Sequence, residues 1–180
     1  GFIGSNLCQQ LLGHGFAVRA LVRNPAKAQT LQQMGVSLVT GDLANTAALA
    51  EFINGCAGVI HGAGAVRGNS QRDFDAVNVD GTQALIAALE LHAPHARLVH
   101  LSSIVAREPA LSYYSCSKFR GEQVFNGRSD ISWVIIRPPA VYGPGDVEML
   151  PLFQTMYRGL GVIPGPPAPR PARIPWDALV

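Results

Sequence analysis

Cysteine is scarce in this chain: Cys8, Cys56 and Cys116 are the only three in 180 residues, and no two form a CxxC pair. That spacing excludes a disulfide framework and a thiolate zinc site, and it points to a reducing, cytoplasmic setting. The five histidines (His14, His61, His92, His95, His100) form no HExxH, so no metal is expected. Charge is sparse too. Charged residues make up 14% of the chain, and 14 Lys+Arg against 12 Asp+Glu leave a net +2. So weak a field points to neither nucleic acid nor a membrane surface as a partner. Long apolar runs are also missing, since none approaches the roughly 18–20 residues that span a bilayer. No basic n-region precedes an apolar segment in the manner of a secretory signal. Disorder is excluded as well, because 48% of the residues are hydrophobic and the net charge is small. The length suits one domain with a sizeable core, or one domain and part of a second.

What the chain does have is an alternation of short apolar runs with segments of helical period. Residues 16–22 (FAVRALV), 36–39, 57–61, 97–101 and 132–136 are brief and rich in Val, Ile and Leu. They lack polar alternation, as strands buried on both faces do. Between them, Ile3, Leu7, Leu11 and Leu12 keep helical spacing until Gly13 and Gly15. Leu49, Phe52 and Ile53 do the same, and helices are predicted over 77–91 and 113–125. This alternation predicts an α/β fold with a doubly wound parallel sheet. Two regions are expected: 1–150, a domain built on that sheet, and 151–180, where seven of the 13 prolines gather. Residues 164–171 (PGPPAPRP) are predicted to be an extended loop. The opening GFIG is a strand-to-helix turn without its strand. The chain is therefore expected to be a piece of a longer protein, lacking the first strand and most of a substrate-binding region. Without a central strand, such a piece should be poorly soluble or dimerise, and should bind its cofactor weakly.

The chemistry begins at Gly1, Phe2, Ile3 and Gly4, which open a helix. Glycine allows close approach of a pyrophosphate, and amides of a helix's first turn bind phosphate. Arg23 lies nineteen positions after Gly4, at the end of the second strand of the expected sheet. In dinucleotide folds the residue about 20 positions on meets the adenosine ribose, and an arginine there accommodates the 2′-phosphate of NADP. Lys27 could assist from the next turn. Asp42 and Leu43 follow Gly41 at the next strand end, where a short carboxylate can accept a hydrogen bond from an adenine amino group. Asp after Gly is equally a turn residue. Ala63, Gly64 and Ala65 are small enough for a flat cofactor to lie on bare backbone. His61 reads as a packed or hydrogen-bonded histidine.

Ser102 and Ser103 end the next apolar run, and Tyr114 and Lys118 sit four apart on the helix that follows. That spacing puts both on one helical face. An ammonium near a phenol stabilises phenolate, drawing its pKa down from about 10 towards a general acid/base range. Ser103 would hydrogen-bond a substrate oxygen opposite the tyrosine. Lys118 can also hold the ribose hydroxyls beside the nicotinamide. After the last strand comes RPPAVYGPGD (137–146), in which Tyr142 and Asp146 read as structural.

Together these residues resemble the extended short-chain dehydrogenase/reductase superfamily, the NAD-dependent epimerase/dehydratase family, and the likeness runs over essentially the whole chain. GFIG looks like the last two glycines of GxxGxxG, NVDGT (78–82) like NVxGT, and RPPAVYGPGD like RPxxVYGPGD. The resemblance implies a Rossmann-like fold and Ser103, Tyr114 and Lys118 as a catalytic triad. It also implies Pro138, Pro139 and Val141 near the nicotinamide. Residues 1–25 are particularly similar to the dihydroflavonol-reductase and hydroxysteroid-dehydrogenase branch, where an arginine in the position of Arg23 accompanies NADP. Residues 173–180 resemble a degraded form of the family's hVxDLA segment. After Ser103 the chain departs from the VYG of sugar-nucleotide enzymes. It also lacks the Asp-Glu pair that 4,6-dehydratases use, which counts against a dehydratase.

The expected activity is NAD(P)-dependent oxidoreduction, with NADP(H) ahead of NAD, between an alcohol and a carbonyl of a small-molecule substrate. A homodimer is the expected assembly of the intact protein. Two alternatives stay open: an NAD-dependent nucleotide-sugar epimerase using the same triad, and a non-catalytic NADP-sensing protein.

Overall fold

In the computed structural model, residues 1–160 are described, and all five apolar runs become strands. These are β1 (Arg19–Val22), β2 (Ser37–Thr40), β3 (Gly58–His61), β4 (Arg97–Leu101) and β5 (Ser132–Ile136). Every pairing is parallel, in two ladders: β1 with β2, and β3, β4, β5 in that order. The α/β architecture with parallel sheets is therefore as expected. Among the described residues β1 pairs only with β2, and β3 only with β4 at one edge. The predicted strand over 16–22 is trimmed at its start. The Phe16 amide turns back to donate to the Leu11 carbonyl at 3.0 Å, completing the end of the preceding helix.

That helix, α1 (Phe2–Gly13), buries none of its residues fully. It stops at Gly15, whose φ of +81° only glycine adopts readily, and whose amide donates to Leu12 at 2.9 Å. A 3₁₀ turn (Pro25–Ala28) leads into α2 (Gln29–Gln33), which the periodicity does not reveal because both pieces are short. Helix α3 (Thr46–Ile53) starts on Asn45, whose side chain accepts from the Ala48 amide at 3.0 Å. Its far end is closed by Arg19, whose Nη1 donates to the carbonyls of Glu51 (2.7 Å), Phe52 (3.1 Å) and Asn54 (3.0 Å). A cation there also meets the negative end of the helix dipole. Arg19→Ala should cost about 1 kcal/mol, read as a lower urea midpoint. An unchanged midpoint would show that these bonds carry no stability.

Helix α4 (Gln71–Asp75) begins on a capping box in which Ser70 and Asp73 each accept the other's backbone amide. It runs through a π turn (Ala76–Asp80) into α5 (Gly81–His92), so the helical run starts earlier than the predicted 77–91. Helix α6 (Tyr113–Gln123) starts on Ser112, which accepts from the Ser115 amide at 3.0 Å. A Cβ at Gly121 of α6 would lie 2.4 Å from the Asn78 carbonyl oxygen, so helix and π turn meet backbone to backbone. The core forms where Leu49 and Ile53 of α3 meet Leu85, Ile86 and Leu89 of α5, over Val59, Leu98 and Phe125. Leu21 of β1 and Leu43 pack against the same cluster, so both ladders share one core.

The described residues form two compact units, one of residues 3–140 with Gly1, the other of 141–160 with Phe2. The compositional change near residue 150 falls inside the second. Helix α7 (Leu150–Tyr157) lies there, with Pro151 in its first turn, where the missing amide has no helical partner to lose. The predicted loop at 164–171 and the segment 173–180 lie outside the described residues. No helix among the described residues is long and apolar enough to cross a membrane.

Candidate functional site

The C-terminal end of β4 carries Ser103 and receives Lys118. Ser103 leaves the strand extended (φ −157°, ψ 152°) and starts a 3₁₀ turn (Ile104–Arg107), its Oγ accepting weakly from the Val105 amide at 3.5 Å. The chain leaving β5 runs alongside. The Ser102 amide donates to Ile136 at 2.8 Å, and the Ile104 amide to Pro138 at 3.0 Å. Pro138 is thereby held beside Ser103, with exposed Pro139 following.

Helix α6 brings in the other two. Lys118 is buried, and its Nζ donates to the Leu101 carbonyl at 2.7 Å, two residues before Ser103. Tyr114 is half-buried one turn earlier, its ring 6.2 Å from that of Phe74. Its hydroxyl has no hydrogen-bond partner among the described residues. The Ala63-Gly64-Ala65 turn, after β3, closes the group. A Cβ on Gly64 would stand 3.2 Å from Asn78 Oδ1 and 3.8 Å from Lys118 Nζ, so bare backbone lies against the ammonium.

Burial draws the Lys118 ammonium down to about 8, with the Glu122 carboxylate opposing that shift. An amine so placed is still mostly charged at neutral pH. His61 and His100 lie below it, ring centroids 5.0 Å apart and both neutral. Burial lowers His61 to about 3, with further lowering by His100 and Lys118. It lowers His100 to about 4, with help from Lys118. His61 is the hydrogen-bonded histidine that was expected. The Thr82 hydroxyl gives its proton to the Asn78 carbonyl (2.8 Å), so His61 donates to Thr82 from Nε2 at 2.9 Å.

Four residues of this site escape sequence reasoning as parts of it. Asn78 is 2% exposed and clamps the small-residue turn. Its Oδ1 accepts from the Ala65 amide (2.8 Å), while Nδ2 donates to the Ala65 carbonyl (3.0 Å) and to Ser117 Oγ (2.8 Å). Ser117 in turn donates to the Tyr114 carbonyl at 2.8 Å. Glu122 and Arg137 pair near the strand ends. Only the spacing of Glu122, one turn past Lys118 and two past Tyr114, marks it in the sequence.

The residues assigned to the cofactor are spread more widely. The first turn of α1, with Gly1 as N-cap, carries no side-chain cap. A Cβ on Gly1 or Gly4 would meet nothing within 4 Å. An open, uncapped helix start of this kind, together with the exposed 63–65 turn, fits an anionic dinucleotide. Ile3 sits in that turn, and Phe2 groups with the second unit. Arg23 is exposed just past β1. Asp42 is exposed past β2, one oxygen accepting from the Ala44 amide at 3.0 Å. Leu43 turns its side chain onto Gly81, where a Cβ would come within 2.7 Å of it, so Leu43 has its backbone to offer.

Val141 lies exposed in the second unit. In that unit the Tyr142 ring meets Phe153 edge-on at 5.2 Å, and Asp146 accepts from the amides of Glu148 and Met149 at 2.9 and 3.3 Å. Both side chains are engaged within this unit. The second unit has an open apolar hollow of about 340 Å³ lined by Tyr142, Gly143, Asp146, Leu150 and Phe153. None of the reacting groups lines it. Among the described residues no three His, Cys, Asp or Glu side chains gather as a metal site.

A family model described as NAD(P)H-binding matches residues 1–149. A ceramide reductase of Caulobacter vibrioides is 41% identical over 158 residues, covering 88% of this chain and 49% of its own length. A 2-alkyl-3-oxoalkanoate reductase of Stenotrophomonas maltophilia is 33% identical over 172 residues, covering 84% of this chain and 51% of its own. The chain spans about half the length of the curated relatives it matches. The solved UDP-glucuronic acid 4-epimerase of Bacillus cereus, in complex with NAD, has a TM-score of 0.73 over 88% of this chain and 61% of its own. At 23% identity that is a likeness of fold.

Proposed function

Because this chain belongs to the NAD(P)H-binding family, within the extended short-chain dehydrogenase/reductase superfamily, we propose that it serves an NADP(H)-dependent reductase interconverting a ketone and a secondary alcohol. The observation that carries this reading is the buried Lys118 ammonium, tied to the Leu101 carbonyl beside Ser103 and one helical turn from Tyr114. A buried cation with a single hydrogen bond among the described residues keeps donors for a ligand. Tyr114 and Ser103 offer hydroxyls to one substrate oxygen, the serine orienting it and the tyrosine delivering the proton. The Lys118 charge favours the phenolate left behind. The nicotinamide, when bound, supplies the hydride for reduction or takes it up in oxidation.

Both named relatives are reductases, and a ceramide and a 2-alkyl-3-oxoalkanoate are each largely hydrocarbon. The substrate is accordingly a carbonyl on an apolar chain. An epimerase carrying tightly held NAD is the weaker reading, because Arg23 offers a cation where NAD calls for an acid. Tyr114 and Lys118 together weigh against a non-catalytic sensor.

The cofactor test is a titration of the intact protein with NADPH and NADH, repeated with Arg23→Asp. A charge-assisted pair with the 2′-phosphate is worth about 1.5–3 kcal/mol, so Arg23→Asp should weaken NADPH by at least about 10–100-fold and bind NADH as well as before or better. Equal binding of both cofactors before and after the change would contradict the NADP reading.

A further inference from the structure

We propose that Glu122 is a positioning residue of this site, one carboxylate that locks α6 to the ends of β4 and β5 and holds the charge on Lys118. The proposal rests on the reading of Ser103, Tyr114 and Lys118 given above.

Glu122 is 4% exposed, although it is a carboxylate. Its Oε1 accepts from Ser102 Oγ and from Arg137 Nε at 2.9 Å, and its Oε2 from Arg137 Nη2 at 2.5 Å. Ser102 follows the last residue of β4 and precedes Ser103, and Arg137 follows the last residue of β5. Three elements therefore converge on one side chain. Burial alone would raise its pKa, but Arg137, Ser102 and the Lys118 charge outweigh it, and the carboxyl stays below the usual range. It is ionised whenever the enzyme works.

The Glu122 carboxylate, one turn from Lys118 on α6, acts to keep that ammonium charged. Among the other elements, the Lys118 charge acts on His61 of β3 and His100 of β4, both neutral, while Tyr114 lies one turn earlier on its own helix. Arg137 is engaged by Glu122, and on α4 Asp75 is taken by Arg120. Asp73 and Arg72 of α4, Asp80 in the π turn, and Arg107 and Glu108 before α6 are all exposed. A purely structural ion pair would serve as well on the outside of the helix. This one sits where it also balances a buried cation.

The test compares pH profiles of kcat and kcat/KM for the intact protein, Glu122→Gln, Glu122→Asp and Arg137→Gln, with Tyr114→Phe as reference. Removing the carboxylate charge should move the alkaline limb, where Lys118 loses its proton, about one unit towards lower pH. Turnover at pH 8 should then fall about fivefold, with KM little changed, and Glu122→Asp should restore much of the limb. Arg137→Gln removes a cation and leaves the carboxylate, so its limb should stay or move upward. That variant decides the matter if Glu122→Gln does not fold. An unmoved limb in Glu122→Gln, or a downward shift in Arg137→Gln, would overturn the proposal. If Tyr114→Phe keeps its turnover, the underlying site reading fails instead; if it is inactive while the limbs stay put, only the role of Glu122 fails.

Discussion

Tyr114→Phe is expected to lower carbonyl reduction by the intact protein about 10²–10⁴-fold, the usual worth of a general acid, and to leave NADPH affinity where it was. The substitution removes one oxygen. The ring stays, so its contact with Phe74 and its place on α6 persist. Because the hydroxyl has no partner among the described residues, its loss strands no buried donor or acceptor there. The loss should therefore appear in kcat, with KM and thermal stability almost unchanged. A variant that turns over normally would show that another group delivers the proton. A variant that loses NADPH binding as well would make Tyr114 part of the cofactor cradle alone.

The second large effect concerns acid. His61 and His100 are held neutral, at about 3 and about 4, chiefly by burial. In the unfolded chain both take up a proton near pH 6.5. A histidine whose folded pKa is depressed contributes stability that is whole above the unfolded value and lost as pH falls towards the folded one. The window for these two therefore runs from about pH 6.5 down to about 3–4, with a limiting slope of about 1.4 kcal/mol per pH unit for each. Across that window the sum reaches several kcal/mol, a large part of the stability of an ordinary domain. Glu122 and Asp73, both held below the usual carboxylate range, add their losses only at lower pH. Urea midpoints between pH 6.5 and 4.5 thus isolate the histidines. His100→Phe keeps an aromatic ring between His61 and Phe125 and should roughly halve the slope. A midpoint that does not move over this range would mean that the pair is solvated.

Much of this could be read from the chain itself, and what could not has a common cause. The strands were legible because each is a short apolar run, and β4 and β5 match their predicted limits to the residue. Their division into two ladders was not, because pairing depends on strand order, which local pattern does not carry. The Tyr114–Lys118 spacing announced a shared face, and α6 supplies it. The clamp from Asn78 to Ala65 and Ser117 joins residues 13 and 39 positions apart, and nothing local in NVDGT announces those partners. Glu122 was hidden by its ordinariness, since a Glu four after a Lys is a common helix-surface pair. Arg23 and Asp42 remain as legible as before and no more. The partner expected for each is a ligand, so the fold gives them little internal contact to report.

Lys118 is the hinge of the site, a buried, tuned cation at the end of β4. The chain has two lysines, and the other, Lys27, is exposed. Lysine-selective isotope labelling with NMR detection can therefore follow the Lys118 side chain through a pH titration, with Lys27→Arg assigning the signals. The predicted midpoint for Lys118 is about 8. A midpoint at the free-lysine value of about 10.4 would place the amine in water, away from Leu101 and Ser103, and would contradict the reading of this site.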